Sequence, residues 1–286
     1  TYMGGITTYT PNEGFRNFSS DFKLMKVNTM LYDSVHDKLY FGTLGHGTQV
    51  LSFPSMKIET YHSSTETEWI GALLLDNDGV LWMGRTDGLR SIDARTGKEL
   101  FPDVIKKLEK IAISTAFKDM DGSLWFGGPS GLYQYVKTTD EIQHFTVDSG
   151  LPSNQICAIL QDHSGVLWIS TMKGLTRFDK YQKTFTNFYA YDGLQDNEFR
   201  TRAAFHDWNG KLYFGGINGV TAFFPQKISG DEKMQSKLRF SNLSVLNQVV
   251  QYDETLLKKN VLDRHISKAT KITLKKGQNV FSIEFT

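Results

Sequence analysis

The sequence predicts an all-β chain: a β-propeller of five full four-stranded blades plus a partial one, followed by the start of a β-sandwich. Three observations carry this. Aromatic residues recur at Tyr40, Trp82, Trp125, Trp168 and Tyr213, with spacings of 42, 43, 43 and 45 residues, and a fixed period of that length marks a repeat architecture. The three middle copies share one order of strand and turn residues. Composition then shifts after Pro225, where the period stops.

Each middle unit opens on an apolar run, such as 72–75, long enough for one strand. A turn follows at Asp76-Asn-Asp-Gly79, Asp119-Met-Asp-Gly122 or Asp162-His-Ser-Gly165. Gly accepts positive φ there, and Asp bonds its own backbone, which is hairpin chemistry. A second strand carries the Trp, a Gly-Leu reversal leads to a third, and residues such as 143–147 supply a fourth. Four antiparallel strands in about 43 residues make one propeller blade. The first strand is expected innermost, because its early positions are small: Gly71, Ser114 and Cys157 in one column, Ala72, Thr115, Ala158 and Ala203 in the next. The periodic aromatics are expected to fill the space between blades.

The outer copies are looser. Residues 24–60 carry the pattern with one extra turn residue, and 197–228 carry it up to Phe223-Phe-Pro225. Residues 5–9 match a third strand with nothing before it, so the chain reads as a fragment that begins inside a blade. Propeller repeats are therefore expected over 1–228 and a polar linker over 229–237. The first strands of an incomplete β-sandwich are expected over 238–286, drawn from 238–245, 271–274 and 280–285. About 50 residues with three strands do not complete a sandwich alone.

Net charge is +1, which gives no case for nucleic acid or an anionic membrane as partner. The charge is uneven: 22 basic and 25 acidic residues over 1–230, against 10 and 6 over 231–286. A single cysteine excludes an internal disulfide framework, and Cys157 is expected to be a buried thiol. No run of 18 apolar residues is present to cross a membrane as a helix.

The search for chemistry points away from catalysis. The seven histidines lack zinc-ligand spacing. The Asp-x-Asp-Gly turns lack the later bidentate glutamate of a calcium loop, and Gly-x-Ser-x-Gly and phosphate-loop motifs are absent. No catalytic residue, metal or cofactor is expected. The loops say more. Antiparallel order puts the second-to-third turns and the fourth-to-first connections on one face, and there the sequence varies on a uniform scaffold, as binding surfaces do. Six ligand-binding candidates lie on that face: Trp69, Arg85, Lys173, Glu198, Arg200 and Arg202. Trp69 stands where Ala112 and Gln155 stand in other units, and its ring can stack on a sugar or pack at the rim. Arg200 and Arg202 alternate on one strand, so both are expected to point to the channel, where two guanidiniums suit an acidic or sulfated sugar. An ion pair of Arg200 with Glu198 or Asp196 is the competing account. Arg85 and Lys173 read equally as solvated loop charges.

At these residues the chain resembles the two-component regulator propeller repeats. That family's pattern is an Asp-x-x-Gly turn, a Leu-Trp-Ile-Gly-Thr strand and a Gly-Leu turn. Residues 192–199, 212–220 and 223–225 resemble the closing repeat of such arrays. Residues 238–243 and 274–285 are similar to the start of the triple-tyrosine (Y_Y_Y) β-sandwich that follows it. The chain departs from the pattern at Arg200, where a small polar residue is expected. The resemblance implies the periplasmic ectodomain of a hybrid two-component system. Such a module binds an oligosaccharide, works as a homodimer, and signals through a membrane helix to a histidine kinase. Two other functions compete with this: a propeller lyase or glycoside hydrolase, for which Asp196 and Glu198 form the nearest carboxylate pair, and a structural dimerisation platform.

Overall fold

The computed structural model describes residues 6–17, 26–62, 69–228, 240–246, 248–250, 261–262, 266, 269 and 271–285. Residue 5, the loop at 63–68, the expected linker and residues 238–239 lie outside the described residues. The chain divides into two compact units, Thr1–Ile228 and Ser229–Thr286.

The first unit is a succession of antiparallel sheets. Blade 1 contributes β1 (Thr7–Thr10) and β2 (Gly14–Asn17). Blade 2 holds β3 (Lys26–Asp33), β4 (Lys38–Leu44), β5 (Thr48–Ser52) and β6 (Lys57–His62). Blade 3 holds β7 (Ile70–Leu75), β8 (Val80–Arg85), β9 (Gly88–Asp93) and β10 (Glu99–Leu100). Blade 4 holds β11 (Thr115–Lys118), β12 (Leu124–Gly128), β13 (Gly131–Val136) and β14 (Glu141–Phe145). Blade 5 holds β15 (Ile156–Gln161), β16 (Leu167–Thr171), β17 (Gly174–Asp179) and β18 (Thr184–Phe188). Blade 6 holds β19 (Phe199–His206), β20 (Leu212–Gly216) and β21 (Gly219–Phe223). Within each sheet the strands follow chain order, and β3, β7, β11, β15 and β19 touch in succession, which makes them the inner strands.

Blade 6 shows three strands among the described residues where the pattern predicts four. The chain turns after β21 into a short 3-10 segment, Pro225–Lys227, because proline cannot donate to a sheet ladder. A helix the sequence pattern did not predict, α1 (Asp103–Lys107), lies between β10 and β11 and buries Val104 and Ile105. Five residues are too few to show helical periodicity.

One aspartate organises each middle blade. In blade 3, Asp76 Oδ1 accepts the amides of Asp78 and Val80, both at 2.9 Å, which fixes the hairpin. Its Oδ2 accepts the Trp82 indole N–H at 2.9 Å. Asp119 does the same with Trp125 at 2.8 Å, and Asp162 with Trp168 at 2.9 Å. The three indoles are buried and meet rings of the following blade: Trp82 with Phe126 and Tyr135, Trp125 with Phe178, Trp168 with Phe223. The outer copies are weaker versions. Tyr213 OH reaches Asp207 at 3.4 Å, and Tyr40 OH donates instead to Ala94 O at 3.0 Å, since Asp33 is engaged by His36 and its own turn.

A lysine of the next blade completes the device. Lys137 Nζ lies 2.6 Å from Asp76 Oδ2 and 2.5 Å from Asp78 Oδ2. Lys180 Nζ lies 2.6 Å from both Asp119 and Asp121. An ammonium group thus sits between the two carboxylates of each of these two turns, those of blades 3 and 4. Burial raises the Asp76 carboxyl pKa, but hydrogen bonds from Lys137, Trp82 and the Val80 amide outweigh it and leave it lowered.

Neighbouring blades also interlock by shape. A Cβ built on Gly42, Gly84 or Gly127 would lie 2.5–2.7 Å from Cγ2 of Ile70, Ile113 or Ile156 on the following blade. Each glycine therefore makes room for the isoleucine that opens the next blade. Blade 5 has Ser170 in this column, and its buried hydroxyl has no hydrogen-bond partner among the described residues. A buried unsatisfied hydroxyl costs about 1–3 kcal/mol. Ser170→Ala is accordingly expected to raise stability by about 1 kcal/mol in urea denaturation; a loss of that size would show that the hydroxyl is satisfied in solution. Cys157 is buried, and burial pushes its thiol up to about 11, as the sequence leads one to expect of an inert inner-strand cysteine.

In the second unit β22 (Phe240–Val245) lies between β23 (Gln248–Val249) and β24 (Phe281–Phe285). Leu243, Val245, Leu262 and Ile266 form its core. The strand expected at 271–274 is reduced to a single bridge, Leu262 to Ile272.

Candidate functional site

Where the inner strands begin, residues of blades 3 to 6 surround a cavity of about 270 Å³. Its wall includes Trp69, Ala112 and Gln155, which are the matched positions just before β7, the β11 approach and β15. In blades 5 and 6 the turn after the second strand is tied back to the residue before the first, Met172 N donating to Gln155 O at 3.2 Å and Ile217 N to Glu198 O at 3.3 Å, while between blades 4 and 3 Ile113 N donates to Arg85 O at 2.8 Å. Trp69 is 43% exposed and bridges to Leu44 of blade 2. Its ring offers the cavity a flat apolar surface.

Arg85 and Arg202 both line the cavity but differ in charge balance. Arg85 is buried and forked onto Asp87, with Nε to Oδ1 at 2.8 Å and Nη2 to Oδ2 at 2.6 Å. It is a paired wall residue, not the solvated loop charge considered from sequence. Arg202 Nη1 donates to Gly71 O at 2.6 Å and Nη2 to Asn28 Oδ1 at 2.8 Å. It thereby reaches from blade 6 to blades 3 and 2. Burial lowers its pKa, yet an arginine keeps its charge at any physiological pH.

Strand β19 explains why Arg202 reaches so far. Pairing with β20 jumps from Phe199–Gly216 to Ala204–Phe214, so four residues of β19 face one of β20. The matching place in blades 3 and 5 has a one-residue bulge, between Ile70 and Ala72 and between Ile156 and Ala158. Arg202 itself has φ 63°, a left-handed conformation that non-glycine residues adopt at a cost of about 1–3 kcal/mol. A bulge of this kind re-aims a side chain.

The same bulge separates Arg202 from Arg200, contrary to the expectation that both point to the channel. Arg200 has a 64% exposed side chain and pairs with Glu198 at 3.7 Å. Neither it nor Glu198 lines the cavity, and Lys173 is exposed on the turn after β16. Trp69, Arg85 and Arg202 are brought together, while Lys173, Glu198 and Arg200 lie apart. Sequence reasoning missed Asn28, Gly71 and Thr201. A signal existed for the loop that carries Thr201 and Arg202. From the opening apolar residue to the periodic aromatic is 12 residues in blades 3, 4 and 5 (Ile70–Trp82, Ile113–Trp125, Ile156–Trp168) but 14 in blade 6 (Phe199–Tyr213).

Among the described residues no group of three or more His, Cys, Asp or Glu is placed to hold a metal ion, and no helix is long and apolar enough to cross a membrane.

The repeat that runs through this site has known counterparts. Residues 150–173 match the family model described as "Two component regulator propeller". The extracellular domain of BT3049 from B. thetaiotaomicron, assigned to the hybrid two component systems, superposes with a TM-score of 0.70 at 21% identity, covering 100% of this chain and 39% of that one. PorZ, a surface component of the type-IX secretion system of Porphyromonas gingivalis, gives 0.62 at 14% identity, with coverage of 100% and 47%. Virginiamycin B lyase from Staphylococcus aureus gives 0.60 at 12% identity, with 77% of each chain covered. No curated protein matches the sequence. The matches define the class: an all-β propeller with a two-component regulator propeller repeat. The chain spans about two fifths of the length of the extracellular domain it resembles.

Proposed function

We propose that this chain is the ligand-binding part of a periplasmic sensor in a hybrid two-component system, and that it recognises an oligosaccharide in the cavity at the start of the inner strands. The observation that carries the reading is the cavity itself. Four blades contribute to it, it presents an exposed indole, and its volume of about 270 Å³ is near the lower end for small-ligand sites, roughly 300–1,000 Å³. The two-component regulator repeat and the likeness to a sensor ectodomain support the rest: a homodimer, a histidine kinase downstream, and a second unit that begins a Y_Y_Y-type sandwich. Signalling then follows from population shift. The ligand favours one arrangement of the dimer, and only a difference in affinity between the two arrangements moves the equilibrium.

Calorimetric titration of the 286-residue chain with a panel of plant, algal and host oligosaccharides tests the binding step. Saturable one-site binding is expected, and Trp69→Ala should weaken it about two- to tenfold, the range for losing one aromatic contact. Absence of heat across the whole panel would sink the reading. Products appearing during the titration would favour a lyase or glycoside hydrolase in its place.

A further inference from the structure

We propose that the saccharide bound in this cavity carries an oxyanion, a carboxylate or a sulfate ester, and that Arg202 is the residue that receives it. This rests on the saccharide-sensor reading and deepens it.

Three observations converge on Arg202. The first is charge. Its partners Gly71 O and Asn28 Oδ1 are neutral oxygens, and it forms no ion pair with a carboxylate among the described residues. Arg85, the other cavity arginine, is already neutralised by Asp87. Among the described residues the cavity therefore holds one uncompensated positive charge, partly removed from water, and a charge in that setting is stabilised by an opposite one. The second is placement. Blade 6 carries two more residues than blades 3 to 5 in this stretch, and the enlarged bulge with left-handed backbone at Arg202 turns its side chain into the cavity. Strain of this kind persists where the surrounding structure uses it. The third is geometry. Nη1 and Nη2 each spend one N–H on a carbonyl oxygen, and a guanidinium has five N–H donors. Three remain for the oxygens of an anion, the planar fork that favours carboxylate and sulfate. Trp69 lies across the same wall, where a sugar ring bearing the anion can stack.

The test compares paired probes on the unaltered chain, so it needs no variant to fold. One pair is trigalacturonate and its methyl ester; the other is a sulfated galactan trisaccharide and its desulfated form. The expected result is at least tenfold tighter binding of the anionic member in one pair, and which pair responds distinguishes carboxylate from sulfate. Arg202→Gln should abolish that preference, and Arg202→Lys should retain part of it, with thermal melts confirming that both variants are folded. Equal binding within both pairs overturns the inference and leaves the saccharide reading intact. An anion preference that survives in folded Arg202→Gln overturns it as well. No binding of any of the four overturns the inference, while the saccharide reading itself is decided by the wider panel.

Discussion

Lys180→Met is expected to lower the stability of the propeller unit by about 3–5 kcal/mol, the range for removing one partner of a buried ion pair. The Lys180 side chain is 4% exposed and that of Asp119 is fully buried. Asp119 keeps its turn amides and the Trp125 indole in the variant, but it loses the only cation that balances it in the described structure. Tyr181 adds to the cost: its hydroxyl bonds Asp121 at 2.7 Å and its ring lies 5.2 Å from the ammonium. Lys137→Met is the internal control. Its side chain is 27% exposed, water screens it in part, and its loss should be smaller. Urea denaturation of the two variants checks the order; a Lys180→Met loss below about 1 kcal/mol would place the pair among ordinary surface contacts.

The same cluster sets a pH window. Burial lowers the Lys180 pKa, but the hydrogen bonds it donates to Asp119 and Asp121 outweigh that and leave it raised above 10.5. A raised folded pKa contributes stability that is complete below the unfolded value and fades as pH climbs past it. The Asp121 carboxyl moves the other way. Hydrogen bonds from Lys180 and Tyr181 hold it below 3.8, so its contribution is complete above that value and is lost as pH falls further. Wild type should therefore show a plateau between those limits, and Lys180→Met should lose less stability than wild type when acidified below it.

Trp125→Ala is the second large effect, with an expected loss of about 3–5 kcal/mol for a fully buried indole. The ring is 0% exposed. It stacks on Phe145 of its own blade at 6.1 Å and meets Phe178 of the next blade edge-on at 5.9 Å. The truncation opens a cavity between two blades and removes the indole from Asp119. Because repeat arrays are held by contacts between neighbours, the damage should fall on the blade 4–5 boundary. Tyr213→Ala, a half-buried ring with a 3.4 Å bond, should cost clearly less. Comparable losses for the two, read from denaturation midpoints, would contradict the role given to the indole–carboxylate bond.

The fold was legible because its determinants are local. The Asp turn, the indole six residues later and the Gly-Leu reversal sit within one unit, so the period displays them. What escaped is what joins units. Lys137 and Lys180 each lie 61 residues from their aspartates, a separation that spans more than one repeat and leaves no trace in the unit pattern. The site was half legible for the same reason. Trp69 stands out against Ala112 and Gln155 in one column. Strict alternation placed Arg200 beside Arg202, and it failed because the strand bulges between them. The two-residue lengthening of blade 6 was present in the aromatic spacing, but a spacing does not say which side chain an insertion will turn inward. Arg85 was misjudged because a reversal reads as exposed, whereas its side chain is 7% exposed and forked onto Asp87 of the same reversal.

The lysine clamps also bear on how such an array can gain or lose members. Each clamp is written half in one sheet and half in its successor, so a sheet is not a freely transferable unit. Excising blade 5 would bring Asp119 against blade 6, whose residue in the Lys180 position, six beyond the Gly that opens the strand, is Pro225. That residue offers no ammonium. Loss of a module that parts the two halves of a clamp therefore leaves a buried aspartate without its ammonium, and the order of sheets is specified by chemistry as well as by chain connectivity.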